Sequence, residues 1–350
     1  MTEQNKSLTT TNQPGELLTL AGQAANQAAG AGVFADYRGR KAANTIRRQA
    51  ADLALFGQFL ASAGAPAGNL AEDPQAWQGV TWGLVKAFVI WQLGGAYAIA
   101  SINGRLSTVK VYCKLAALAG VIDPGTLALI QSVSGYQHKE QKNLDANRES
   151  AGVDTRKGAK KAAPVHLALD QAKALKNRPN TPQGRRDRLM LCLFLDLGLR
   201  VGELAALTVD CFDLGGKRLT FYREKVNKTQ TMDLKNGALA ALRAWLESGD
   251  APAIGNIWRS SRKSKAGNLT GPGWSTRAIT KRVAALGELV GAPGLSAHDL
   301  RHYWATCAAR NGTALDRLQD AGGWSSLAMP GRYIEVAKIA NQGVNLGSDD

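Results

Sequence analysis

The stretch His298–Tyr333, HDLRHYWATCAARNGTALDRLQDAGGWSSLAMPGRY, decides how the rest of the chain is read. In HDLRH the spacings i, i+3 and i+4 put His298, Arg301 and His302 on one helical face. A cation and two imidazoles sharing a face repel one another unless an anion lies among them or water screens them, so the cluster reads as a phosphate site. Two plainer readings compete. A HxxxH pair also suits zinc, but Asp299 stands where the zinc-protease motif has Glu, and no third ligand follows. An ordinary amphipathic helix with surface histidines is the other.

The chain has 350 residues, enough for two domains with a core each. Hydrophobic residues make up 45% and charged residues 20%, the balance of a soluble globular protein. Forty-three Lys+Arg against 28 Asp+Glu leave a formal charge of +15, which favours a polyanionic partner. Basic surfaces that bind nothing are common, so charge alone does not decide. Cys113, Cys192, Cys211 and Cys307 form no CxxC pair. The first, second and fourth lie in apolar helical patterns and read as buried free thiols of a reducing compartment. No signal peptide opens the sequence, and no run approaches the roughly 18 apolar residues of a membrane span, so the expected location is cytoplasmic and nucleoid-associated.

Residues 1–32 are rich in Gln, Asn, Thr, Ala and Gly and read as a disordered or loosely helical tail. Residues 33–137 carry helical periodicity, in Ile46, Leu53, Phe56 and Leu60, then in about Trp77–Leu93 (apolar nearly all round), then in about Ile99–Ala119. Lys41, Arg47, Arg48, Arg105, Lys110 and Lys114 stud the exposed faces. Residues 138–164 lack apolar periodicity and read as a basic linker. From 165 to 350 a second domain is expected. LALDQAKALKN is a short helix, and RRDRLMLCLFLDLGLRVGELAAL a buried helix, a Gly turn and another helix. KRLTFYRE and TQTMDL flank the turn Lys225–Lys228 as a hairpin. NGALAALRAWLES is amphipathic, SSRKSKAGNLTGPG reads as a loop, and Ser275 caps a helix running to about Gly291. A last helix is expected over about Ile334–Leu346.

GLRVGEL, the lysine-bearing hairpin, HDLRH, GGWSS and a late Tyr stand in the order found in tyrosine recombinases, the phage-integrase family. The resemblance covers the whole second domain. It implies a mainly α protein: an N-terminal helical core-binding (SAM-like) domain, then a mixed α+β catalytic domain with a small β-hairpin sheet. Arg200 in GLRVGEL matches the first catalytic arginine, with Glu203 as its structural support. REKVNKTQTMDL resembles the family's G-K-G-x-K-x-R-x-V-P-L turn and puts Lys225 at the catalytic lysine, with Lys228 as the competing choice. His298 and Arg301 match the H-x-x-R pair. GGWSSLAMPGRY resembles L-G-H-S-S-x-x-x-T-x-x-Y, with Trp324 at the second-histidine position and Tyr333 at the nucleophile. Trp324 is one departure from the common pattern. Pro330 and Gly331 are the other, and they suggest a differently hinged approach to Tyr333.

The chemistry implied is cleavage and rejoining of DNA through a 3′-phosphotyrosine, with neither cofactor, metal nor ATP. Implied partners are double-stranded DNA held in a C-shaped clamp, a homo-tetramer on two recombination sites, and accessory DNA-bending proteins. Tyr303 sits two positions from Arg301, on another face of the helix, and Tyr222 is expected to pack within its strand, so neither competes with Tyr333. Ile334, Val336, Ile339 and Leu346 are candidates for docking on a neighbouring protomer. Two other readings remain: a type IB topoisomerase, which shares the chemistry but relaxes supercoils, and a non-catalytic DNA-binding relative.

Overall fold

The computed structural model describes residues 14–158 and 164–337. They divide into two compact units at residue 160. In the first, α1 (Pro14–Gly39), α2 (Ala43–Ser62), α3 (Trp82–Gly94), α4 (Ile99–Leu118), α5 (Pro124–Ser132) and α6 (His138–Ser150) enclose an aromatic core. Phe56 packs on Phe88 at 5.0 Å and on Trp77 at 5.8 Å, and Trp77 stacks on Tyr112 at 6.1 Å. The helix expected from Trp77 starts instead at Trp82, because the Thr81 hydroxyl accepts from the Leu84 amide and caps it there. Nor is it apolar-packed all round: Trp82 and Ile90 are half exposed.

Two further expectations change in this unit. Of the stretch expected to be a disordered or loosely helical tail, residues 14–32 are helical and form most of α1, while residues 1–13 lie outside the described residues. Alanine-rich sequence favours helix, and Phe34 is buried while Gly30 lies close enough to α4 that an added Cβ would sit 3.1 Å from the Leu118 carbonyl. Residues 138–150 of the expected linker form α6. The Glu140 carboxylate accepts from the Gln137 amide at 2.7 Å, capping the first turn, and buried Arg148 donates to the carbonyls of Tyr97 and Asp154. Periodicity missed this helix because a charged residue, not an apolar one, anchors it.

The second unit contains α7 (Leu169–Lys176), α8 (Pro182–Leu197), α9 (Val201–Ala206), α10 (Asn236–Glu247), α11 (Thr276–Glu288), α12 (Ala297–Arg310), α13 (Leu315–Gly322) and α14 (Ala328–Ala337). Helix α8 is the axis of the core: Leu189 to Leu195 are all buried, and α7, α10 and α12 pack on it. Strands β1 (Phe212–Asp213), β2 (Arg218–Arg223) and β3 (Lys228–Asp233) form an antiparallel sheet in that order, with Arg223 opposite Lys228. The expected loop SSRKSKAGNLTGPG is in fact a second hairpin, β4 (Arg259–Lys263) with β5 (Leu269–Pro272). Its turn is closed by Ser264 and Asn268 backbone bonding around left-handed Gly267, so it forms without the apolar alternation that marks most strands. Cys192 is buried and Cys307 only partly so. Residues 338–350 and the side chains of residues 334–337, which include the expected docking contacts Ile334, Val336, Ile339 and Leu346, lie outside the described residues. Among the described residues no helix is long and apolar enough to cross a membrane.

Candidate active site

Helix α8 ends at Gly198, whose φ of 63° is left-handed. An added Cβ there would lie 2.2 Å from the Trp304 ring, so glycine is required for both conformation and space. The reversal delivers Arg200 to the N-terminus of α9. Glu203, three residues on, accepts from the Arg200 amide at 2.8 Å and from its Nη1 at 2.7 Å. Arg200 Nη2 donates to the Gly323 carbonyl at 2.8 Å. The carboxylate thus fixes the guanidinium by both ends of the residue.

Helix α12 starts with Ser296 and Asp299 bonded reciprocally: the Asp299 carboxylate accepts from the Ser296 amide at 2.8 Å and from its hydroxyl at 2.6 Å. Asp299, where a zinc protease has Glu, is therefore a capping residue. Arg301 turns inward and is 2% exposed. Its Nη1 donates to the Gly198 carbonyl and its Nη2 to the Gly322 carbonyl, each at 2.5 Å. Burial, reinforced by the positive charge of Arg200, pushes its pKa down to about 10, still well above neutral. His298 is exposed, and its Nε2 lies 2.9 Å from His302 Nε2. A hydrogen bond between two ring nitrogens needs one donor and one acceptor, so at least one imidazole is neutral.

The C-terminus of α13 is the hub. Its exposed carbonyls form the negative end of the helix, and they are taken in turn by side chains from three other elements. Gln230 Nε2 donates to Asp320 at 2.8 Å, Arg223 Nη2 to Ala321 at 2.8 Å, and Arg301 to Gly322. Arg200 takes the carbonyl of Gly323, whose φ of 58° turns the chain into Trp324. The Trp324 ring meets Arg301 at 4.5 Å and Tyr333 at 5.6 Å. Helix α14 begins at Ala328, upstream of Pro330 and Gly331. Proline therefore falls in the first turn, where no amide is needed, and the approach to Tyr333 is continuous helix rather than a hinge. Tyr333 is 5% exposed, with the His302 ring 5.1 Å away. Burial raises its pKa above the usual phenol value, opposed by Arg301 and Arg200.

On the hairpin, Glu224–Val226 form a turn closed by left-handed Asn227. Lys225 is exposed at this turn, whereas Lys228 Nζ is paired with Asp320 Oδ1 at 2.8 Å. Tyr222 does not pack inward as expected. It is 55% exposed and donates to Asn227, because the inward residues of β2 are Leu219, Phe221 and Arg223. Tyr303 and His302 line a neighbouring cavity of about 610 Å³, which His298, Met329 and Tyr333 also border.

Arg200, Lys225, His298, Arg301, Trp324 and Tyr333 all line one cleft of about 410 Å³, together with Val201 and Met329. Two guanidiniums, an ammonium and an indole lining one cleft with a phenol are groups that could receive a tetrahedral oxyanion. Sequence reasoning missed Arg223, a fully buried arginine bonded to Glu203 and to two α13 carbonyls. The signal was available: strand alternation puts this charged residue on the buried face.

The fold is that of integrase catalytic domains. The structure of the Tn1549 transposon integrase in complex with transposon right end DNA superposes with a TM-score of 0.58 over 90% of this chain and 96% of that one, at 13% identity. A lambda integrase dimer bound to a core site gives 0.53 over 89% and 93%, at 15% identity. The phage integrase family profile matches residues 166–339. Tyrosine recombinase XerC of Mycobacterium tuberculosis (strain ATCC 25177 / H37Ra) is 28% identical over 280 residues, 77% of this chain and 83% of the relative. XerC of Mycobacterium sp. (strain KMS) is 32% identical over 190 residues, 51% of this chain and 60% of that one. The chain belongs to the phage integrase family, the tyrosine recombinases.

Proposed function

We propose that this protein is a site-specific DNA recombinase that cuts and rejoins duplex DNA through a 3′-phosphotyrosine at Tyr333. The observation that carries the reading is the convergence of Arg200, Lys225, His298, Arg301, Trp324 and Tyr333 on one cleft from four separate stretches of sequence. Tyr333 Oη attacks phosphorus as the P–O5′ bond breaks. The phenolic proton leaves through His298, and the departing 5′ oxygen takes a proton from Lys225. Arg200 and Arg301 neutralise the two non-bridging oxygens, and the Trp324 indole N–H donates to one of them without exchanging protons. One P–O bond is exchanged for another of similar energy. A 5′ hydroxyl from a second strand therefore reseals the break by the reverse path, with no call on ATP or metal.

Lys225 is the better acid because it lines the cleft while Lys228 is engaged by Asp320. Exchange between two duplexes calls for protomers on both, so a homo-tetramer on two sites is part of the proposal. The helical first unit is proposed as the core-binding domain, with exposed Lys41, Arg47 and Lys114 toward phosphates.

The test begins with selection of bound duplexes from a randomised library by Tyr333→Phe protein. A nicked suicide duplex carrying the recovered site should become covalently attached to wild type and not to Tyr333→Phe. Attachment persisting in the variant would sink the assignment. Relaxation of plasmids lacking the site would favour a topoisomerase instead.

A further inference from the structure

We infer that Arg223, which the reaction above does not use, is the positioning residue that ties the two phosphate-binding arginines to each other. The inference rests on the proposed reaction. Arg223 closes β2 and is fully buried. Its Nη1 donates to Glu203 Oε1 at 3.1 Å, to Glu203 Oε2 at 3.2 Å and to the Gly322 carbonyl at 3.1 Å. Its Nη2 takes the Ala321 carbonyl at 2.8 Å. Both acceptors of Nη1 are shared. Glu203 also holds Arg200, and the Gly322 carbonyl also holds Arg301. One guanidinium therefore links the carboxylate that orients the first arginine to the carbonyl that orients the second.

Packing alone does not account for an arginine here. The guanidinium lies beside Phe221 and Met232, where a methionine or leucine would fit the inward face of the strand. Burial of the charge lowers its pKa, opposed by Glu203 and reinforced by the Arg200 charge, and among the described residues its Nε has no hydrogen-bond partner. An apolar side chain would avoid those penalties. What it would lack is the planar fork that joins Glu203 to the end of α13. The fit is close: a Cβ on Gly323 would lie 2.7 Å from Arg223 Cδ. Lys225 is only two residues away, but its turn is held by backbone β2–β3 pairing, which a change of the Arg223 side chain leaves in place, so the arginine pair is where that side chain acts.

The experiment compares Arg223→Met and Arg223→Lys with wild type on the selected site. It measures DNA affinity, thermal unfolding, and single-turnover cleavage of duplexes with either oxygen or sulfur at the scissile 5′ position. A thiolate leaves without a proton, so the sulfur duplex bypasses the acid. Expected is a folded Arg223→Met protein that binds DNA within about twofold of wild type and cleaves both duplexes at least tenfold more slowly, a loss typical of ångström-scale misplacement. Arg223→Lys should recover part of the rate. A wild-type rate in Arg223→Met, or a defect confined to the oxygen duplex, overturns the inference. Should Arg223→Met not fold, Arg223→Lys decides alone, since it keeps the charge and loses the fork: slow cleavage of both duplexes is expected, and a wild-type rate overturns the proposal. If wild type itself attaches to no DNA, the reading of the site fails first and the inference falls with it.

Discussion

The Arg301 guanidinium lies over the Trp324 ring, 4.5 Å from its centroid, and the other side of the site sets Tyr333 against the same indole at 5.6 Å. The tryptophan is thus a stacking platform, and the proposed reaction adds a second, separable role for it as an N–H donor. Trp324→Phe keeps the first and loses the second. Its stability should stay within about 1 kcal/mol of wild type, while cleavage falls on the order of 10² as for loss of one transition-state donor. Trp324→Ala loses both and should also unfold at lower temperature. Equal cleavage by wild type and Trp324→Phe in a single-turnover assay would show that the N–H does not meet the phosphate.

Lys225 and Lys228 are three residues apart and differently employed. Lys225 lines the cleft, whereas Lys228 pairs with Asp320 on α13, both partners more than half exposed. An exposed pair contributes little, roughly 0–1 kcal/mol. Lys228→Ala should therefore change cleavage by less than about tenfold, through the placement of α13 alone. Lys225→Ala should lower it by about 10²–10³, as expected for removal of a proton donor and cation. Sulfur at the 5′ position should restore the rate of Lys225→Ala. Restoration in Lys228→Ala instead would reverse the assignment.

The legible parts of this chain were those with local signatures. Apolar periodicity marked α8, and left-handed Gly198 stands where GLR predicts a turn. The six cleft residues were legible through motif order, not through any single pattern. What stayed hidden was set by side-chain bonds across long sequence separations. Helix α6 is anchored by Arg148, a charge that hydropathy counts against burial. Arg223 reaches α13 nearly a hundred residues later, and only the folded chain shows that it shares the Gly322 carbonyl with Arg301. Pro330 looked like a hinge because the start of α14 is fixed by tertiary packing against α12 and α13 rather than by a sequence cap.

The buried Tyr333 phenol titrates above its ordinary value near 10, burial outweighing the pull of Arg301 and Arg200. Between that ordinary value and the raised one, the unfolded chain has lost the proton and the folded chain has kept it. Stability that Tyr333 contributes below pH 10 is therefore lost as pH rises past it. Relative to Tyr333→Phe, wild type should hold a constant stability difference up to about pH 9 and lose ground above about pH 10. Denaturant melts of both proteins across pH 8–11, with the 295 nm phenolate absorbance followed in parallel, check this. A Tyr333 titration below pH 10 in the difference spectrum would mean that the arginines outweigh burial.

Gly198 and Gly331, both near the site, make opposite steric demands. At Gly198 an alanine Cβ would sit 2.2 Å from Trp304 with φ at 63°, whereas at Gly331 it would meet nothing within 4 Å. Left-handed strain and overpacking each cost about 1–3 kcal/mol, so Gly198→Ala should destabilise by at least about 2 kcal/mol. The same change should disturb the carbonyl that receives Arg301 Nη1 and the Trp304 ring, whose neighbour at 6.2 Å is Trp324. Cleavage by the folded fraction should consequently drop as well, by about tenfold or more. Gly331→Ala lies in α14 without a close neighbour, and there alanine should stabilise by roughly 0.5–1 kcal/mol. Thermal melts and single-turnover rates of the two variants side by side separate these effects. Because both substitutions are Gly→Ala, any difference between them reflects where the methyl group lands: against Trp304, on the residue whose carbonyl accepts from Arg301, or into open space two residues before Tyr333.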